Sequence, residues 1–195
     1  MNHPVRIRRI AEEDWDAIVA LEAGAYTALG LCEGRPALEA KVRASPATCF
    51  ALDHGRRLAG YLLALPYPGS ESPALTSREE VVFHSRNLHL HDLVIARDLR
   101  GRGLGKALVR HLTAGARQLG YEQISLVAVG GSHTFWAAIG FTARREVVNS
   151  PGYGPGSVYM SMSLPPEQAE RPTAEHPAPA GALPSGAPSR EYEVG

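Results

Sequence analysis

The chain has 195 residues, 44% hydrophobic and 21% charged, the profile of one globular domain with a real core. Lysine plus arginine and aspartate plus glutamate stand at 20 each, so no whole-molecule field gathers nucleic acid or coats a membrane, and any anion must be held locally. No apolar run approaches the roughly 20 residues of a membrane span, the start carries no apolar signal-peptide core, and Cys32 and Cys49 lack metal or redox spacing, so a cytoplasmic protein with reduced thiols is expected.

Val5, Ile7 and Ile10 set among arginines predict an opening strand. Glu12, Glu13 and Asp14 then suit a helix N-terminus, with Trp15, Ile18, Val19 and Leu21 as the apolar face. A second helix is predicted over 36–43, with Pro36 in its first turn. Residues 48–52 and 58–65 read as strands joined by the turn Asp53-His54-Gly55-Arg56. The proline-, serine- and glycine-rich stretch 66–80 reads as loop.

A strand over 88–95 leads to the clearest helix, 103–119, where Leu104, Leu108, Leu112, Gly115 and Leu119 recur three and four apart and Gly120 supplies a stop. Residues 124–129 read as a strand and 132–139 as a short helix, followed by strands over 141–148 and 158–164. Strands dominate first and then alternate with helices, which predicts an α/β (α+β) fold with a mixed sheet. The expected domain is 1–164. Seven of the fifteen prolines lie in 165–195, a tail expected to be disordered for want of apolar residues.

The turn Arg100-Gly101-Arg102-Gly103-Leu104-Gly105-Lys106 joins that strand to that helix. Its glycines let backbone approach a ligand, and a helix N-terminus presents unpaired N–H groups and positive dipole. Together they predict a phosphate cradle. Arg100, Arg102 and Lys106 crowd cations at the positive helix end, where each costs about a few tenths of a kcal/mol unless an anion binds. The nucleotide P-loop is excluded, because Ala107 stands where Ser or Thr is needed and Arg100 where its first glycine belongs. The dinucleotide fingerprint fails too, with Lys106 or Leu108 at its third glycine.

The run Arg100-x-x-Gly103-x-Gly105 resembles the acetyl-CoA signature of the GNAT N-acetyltransferases, Arg/Gln-x-x-Gly-x-Gly/Ala. Phe135-Trp136-Ala137-Ala138-Ile139-Gly140-Phe141 resembles that family's second signature, a short helix ending in Gly-Phe before a strand. The resemblance spans residues 5–164 and implies a mixed, mostly antiparallel central sheet flanked by helices and splayed at the acetyl-CoA site. It implies that Arg100, Gly101, Arg102, Gly103, Leu104, Gly105 and Lys106 hold the pyrophosphate of acetyl-CoA, the co-substrate. Leu93, Val94 and Ile95 are then expected to pair through backbone with the pantetheine arm. Two positions depart from the family: Trp136 stands where many members carry a tyrosine that protonates the leaving thiolate, and Val129 stands where an asparagine often touches the cofactor.

Acetyl transfer to an amine needs a neutral lone pair, and a lysine-like amine is neutral only to about one part in 2,500 at pH 7. Histidine is the natural base. His89 and His91, two apart, are expected on one sheet face, with Leu88, Leu90 and Asp92 on the other. His91-Asp92-Leu93 resembles the Glu-Asp-Leu stretch of spermidine/spermine-type acetyltransferases, which implies His91 as general base, directly or through a water, and Asp92 as a substrate-binding group. A histidine that merely fills the sheet face is the competing reading. His84 precedes that strand, and His133 opens the short helix. Tyr153, in the loop 151–156, is the candidate acid ahead of Tyr159 on the last strand, although a thiol near pKa 8.5 also leaves unaided.

The expected activity is direct acetyl transfer from acetyl-CoA to a primary amine within a ternary complex, a small molecule being favoured as acceptor over a peptide. Acetylation of a protein N-terminus or lysine and transfer of another acyl group are the enzymatic alternatives, and an acyl-CoA sensor without turnover, suggested by Trp136, is the non-enzymatic one. No metal, nucleic acid or membrane partner is expected. A homodimer is common in the family and is one expectation here.

Overall fold

In the computed structural model the described residues are 3–75, 83–147 and 152–165. The predicted tail and the segments 76–82 and 148–151 lie outside them. The chain runs β1 (Val5–Arg9), α1 (Trp15–Tyr26), α2 (Arg35–Ala44), β2 (Phe50–His54), β3 (Arg57–Pro66), β4 (Asn87–Ile95), α3 (Leu104–Gln118), β5 (Gln123–Ala128), α4 (His133–Ala137), β6 (Thr142–Ala143) and β7 (Val158–Ser163). Each of these elements was legible in the sequence. The strand expected over 141–148 is the exception in extent: within the described residues it pairs with β7 only at Thr142 and Ala143.

Among the described residues the strands form one sheet in the order β1-β2-β3-β4-β5-β7-β6. All neighbours are antiparallel except β4 and β5, which run parallel because α3 carries the chain back between them. This is the mixed, mostly antiparallel sheet flanked by helices that the sequence led us to expect.

The apolar stripe of α3 explains how the sheet is covered. Leu104, Leu108, Val109, Leu112 and Ala116 are buried against Leu62, Ala64, Leu88 and Leu90. Each fully buried leucine contributes roughly 1.5–3 kcal/mol. Leu119, expected to extend this stripe, is 56% exposed instead. The helix has ended by then: Gly120 takes a left-handed φ of +82° and Tyr121 N–H bonds back to Ala116 O at 3.0 Å, so Ala116 closes the stripe. The opposite sheet face packs Tyr61, Leu63 and Val94 against Trp15, Ile18 and Leu38 of the first two helices.

Two irregularities of β4 position the site. The register with β3 pairs Ala64 with Leu90 but Leu63 with Asp92, so His91 is the extra residue of a β-bulge. The parallel ladder to β5 covers only Asn87, Leu88 and His89, while β5 remains paired to β7 as far as Ala128. Beyond His89 the two strands separate, and the edge of β4 toward β5 is open.

The bulge corrects one expectation. Strict alternation placed Asp92 with Leu88 and Leu90. The extra residue inverts the phase, so Leu88 and Leu90 before it and Leu93 and Ile95 after it share the α3 face. Asp92 turns to the α1/α2 face, where it meets Tyr26 and Tyr61.

Candidate active site

The glycine turn forms one end of the site. Gly101 and Gly103 adopt left-handed φ values of +76° and +78°, which β-carbon sterics make costly for other residues. Gly105 is needed for closeness: a β-carbon there would lie 3.3 Å from the Phe135 ring and 3.6 Å from Leu93. The first backbone bond of the helix runs from Ala107 N–H to Gly103 O at 3.0 Å. The N–H groups of Leu104, Gly105 and Lys106 therefore have no acceptor within the helix and point out of its first turn.

A cleft of about 600 Å³ runs from this turn along the open edge of β4. Arg100, Gly101, Gly103, Leu104, Gly105 and Lys106 line it, but Arg102 is exposed and does not. The guanidinium of Arg100 is engaged by its own strand, Nε donating to Ile95 O at 3.1 Å.

Leu93, Val94 and Ile95 all line the cleft, but their backbones divide. Ala96 N–H donates to Ala59 O on β3 at 2.8 Å, so alternation turns the backbone of Val94 to β3 and that of Leu93 and Ile95 to the gap. Leu93 and Ile95 are thus the residues whose edge groups can meet an extended ligand. The side chain of Val94 joins the α1/α2 core.

At the other end the bulge presents His91. Its Nε2 lies 2.6 Å from Glu33 Oε1, and Glu33 Oε2 accepts from Lys41 Nζ at 2.7 Å. All three side chains are buried, at 1%, 5% and 0% exposure. Burial alone would raise the Glu33 carboxyl, yet the hydrogen bond from His91 and the charge of Lys41 outweigh it and hold the group below its ordinary value. An ionised Glu33 accepts, so Nε2 of His91 donates to it and Nδ1 is the nitrogen left over. That Nδ1 is buried with no hydrogen-bond partner.

Asp92 beside it is likewise enclosed. Tyr26 donates to Oδ1 at 2.6 Å and Tyr61 to Oδ2. Burial pushes its carboxyl up to about 6, against the pull of the two hydroxyls. Glu22, 2% exposed, accepts from the backbone N–H of Glu33 at 2.6 Å and of Gly34 at 3.3 Å, fixing the loop that carries Glu33. His89 packs deeper with Nδ1 3.1 Å from Ser125 Oγ, and burial drives its imidazole well below the usual range, so it stays neutral.

The cleft therefore brings together His91, Asp92, Leu93, Ile95 and the glycine turn. Tyr153 also lines it, but its hydroxyl donates to Pro73 O at 2.7 Å. Tyr159 accepts from Ser70 N–H, and His84 and His133 are exposed. Trp136 is 7% exposed and forms wall between the edges of Phe135 and Phe141. Glu33, Lys41, Tyr26, Tyr61 and Glu22 were not found from the sequence. The one local signal was Lys41, a lysine one turn from Leu38 on the buried face of α2.

One cleft thus holds a turn that offers helix N–H groups, an open strand edge and a buried imidazole. Residues 15–141 match the Acetyltransferase (GNAT) family, and the chain belongs to it. It is an acyltransferase of the kind that draws its acyl group from coenzyme A. No curated protein matches it. Among solved structures it is similar to the loading GNATL domain of CurA from Lyngbya majuscula, with TM-score 0.69, 16% identity and coverage of 83% of this chain and 98% of that one. It is similar as well to the GphF GNAT-like decarboxylase in complex with isobutyryl-CoA, with TM-score 0.68, 22% identity and coverage of 82% and 99%. The ribosomal-protein-S18-alanine N-acetyltransferase from Escherichia coli superposes with TM-score 0.53, 15% identity and coverage of 86% and 97%. At these identities the likenesses speak for the fold.

Proposed function

We propose that the protein transfers an acetyl group from acetyl-CoA to a primary amine by direct attack in a ternary complex. The observation that carries this reading is His91: one imidazole nitrogen is tied to Glu33, the other is without a partner, and the residue stands at the bulge where the open edge of β4 begins. In this reading the N–H groups of Leu104, Gly105 and Lys106 hold the pyrophosphate, with Arg100 and Gly101 alongside. The pantetheine arm extends along Leu93 and Ile95. The acceptor ammonium gives one proton to Nδ1 of His91, its nitrogen bonds to the thioester carbon, and the C–S bond breaks to release a thiolate while that nitrogen sheds its second proton to solvent. That thiolate takes up its proton from solvent or from His91, because the Tyr153 hydroxyl is turned to Pro73. Glu33 acts through His91 as a positioning residue.

The test is incubation with acetyl-CoA and a panel of monoamines, diamines, amino acids and short peptides, following thiol release and acetylated product together. Acetylation of an amine that vanishes in His91→Ala supports the reading, while binding of acetyl-CoA without any turnover replaces it with that of an acyl-CoA sensor. A second reading is favoured by Trp136. Chemistry that leaves the C–S bond intact needs no acid for a leaving thiolate, and one structural neighbour is described as a GNAT-like decarboxylase. Loss of CO2 from malonyl-CoA without thiol release would favour it.

A further inference from the structure

The acceptor end of the cleft is rich in acids, yet each of its described carboxylates already has hydrogen-bond donors on it. Glu33 is held through both oxygens, Oε1 by His91 and Oε2 by Lys41. Asp92 is held through both, by Tyr26 and Tyr61. Glu22 is taken by the N–H groups of Glu33 and Gly34. Lys41 is fully buried on Glu33 and the Leu75 carbonyl. Leu29, Leu31, Leu75 and Tyr153 line the same cleft.

We propose that the acceptor is a monoamine carried on an apolar body, an alkyl- or arylalkylamine with no second charge. The proposal rests on the acetyl-transfer reading and names the substrate class of that same site. The unpartnered Nδ1 of His91 suits one ammonium, which gives up its proton there. A second ammonium, as in a polyamine, would shed water against leucines and find each nearby carboxylate already bonded. A carboxylate, as in an amino acid, would meet the same wall with Lys41 committed to Glu33. Asp92, the expected substrate-binding group, is thus already taken up by Tyr26 and Tyr61.

Matched pairs test this: hexylamine against 1,6-diaminohexane, and 2-phenylethylamine against phenylalanine. The expected kcat/KM favours the monoamine in each pair by about tenfold or more, the discrimination of a buried charge without a partner. Equal or reversed ratios overturn the proposal. Leu29→Glu, at a half-exposed position where the fold tolerates change, is expected to narrow the hexylamine preference by placing an open acid on the wall; an unchanged ratio counts against the assignment of this end to the acceptor. If no amine is turned over, the acetyl-transfer reading fails by itself. Calorimetric binding of the same pairs to the CoA-saturated protein then decides the proposal separately, with tighter monoamine binding supporting it and equal binding overturning it.

Discussion

The two ends of the cleft are built by different means. The glycine-turn end is made from backbone, by the seven consecutive residues Arg100–Lys106 that run from the turn after β4 into the first turn of α3, and asks of its side chains mainly that they be absent at Gly101, Gly103 and Gly105. The His91 end is made from side chains drawn from α1, the loop before α2, α2, β3 and β4, with Tyr61 31 residues and Tyr26 66 residues from Asp92 in the chain. The first end is a local motif that survives changes elsewhere in the fold. The second is a buried charge network in which each partner is necessary to the next, so a single substitution propagates.

Four changes press on this contrast, beginning with the largest effect. His91→Ala removes the proposed base and is expected to lower kcat by about 10²–10⁴ while leaving the acetyl-CoA Kd within about twofold, since the two ends are separate. Stopped-flow turnover and calorimetry read the two quantities, and an equal loss in both would merge the ends into one unit. Glu33→Gln keeps a hydrogen-bond acceptor for His91 but leaves Lys41 buried without its counter-charge. Thermal or urea unfolding is expected to show a loss of about 3–5 kcal/mol. The variant's kcat at saturating substrate should also fall, because a neutral amide holds the His91 imidazole less firmly than the carboxylate does. A kcat that stays in place would make Glu33 structural alone.

Asp92 offers a pH test of the same end. Its folded pKa of about 6 lies above the unfolded carboxylate value of 3.8, so the folded state binds the extra proton between these limits. Stability from this group is therefore greatest below about pH 4 and falls as pH rises to about 6, by roughly 3 kcal/mol at most. Urea unfolding of wild type and Asp92→Asn across that window should differ in slope in that sense. Parallel curves would show that Asp92 is ionised throughout. The smallest effect belongs to the backbone end: Gly103→Val forces a branched residue into φ near +78° at a cost of about 1–2 kcal/mol. Acetyl-CoA affinity is expected to drop about five- to thirtyfold, and kcat at saturation to hold.

How much of the site was legible follows the same division. Arg100, Gly103 and Gly105 announced the glycine turn because its geometry is encoded in consecutive residues, although the sequence did not show that Arg102 is exposed or that Arg100 bonds Ile95. His91 was picked by residue type and place. Its partner Glu33 was not, because nothing in Leu31-Cys32-Glu33-Gly34 distinguishes that acid from a solvated one until α2 folds Lys41 over it. Asp92 was assigned to the wrong face because alternation assumes an unbroken strand, and a bulge is declared only by the register with β3.

By itself the sequence determined the order of strands and helices, the apolar stripe of α3 and the glycine turn, since each depends on periodicity or on steric rules that act within a few residues. The tertiary structure alone decided which charges meet. Burial of Lys41, Glu33 and His91 in one place, of Asp92 between two tyrosines, and the parting of β4 from β5 all arise from contacts between segments distant in the chain. Electrostatic pairing depends on distance in space and on exclusion of water, and neither is written in the spacing of residues along the chain.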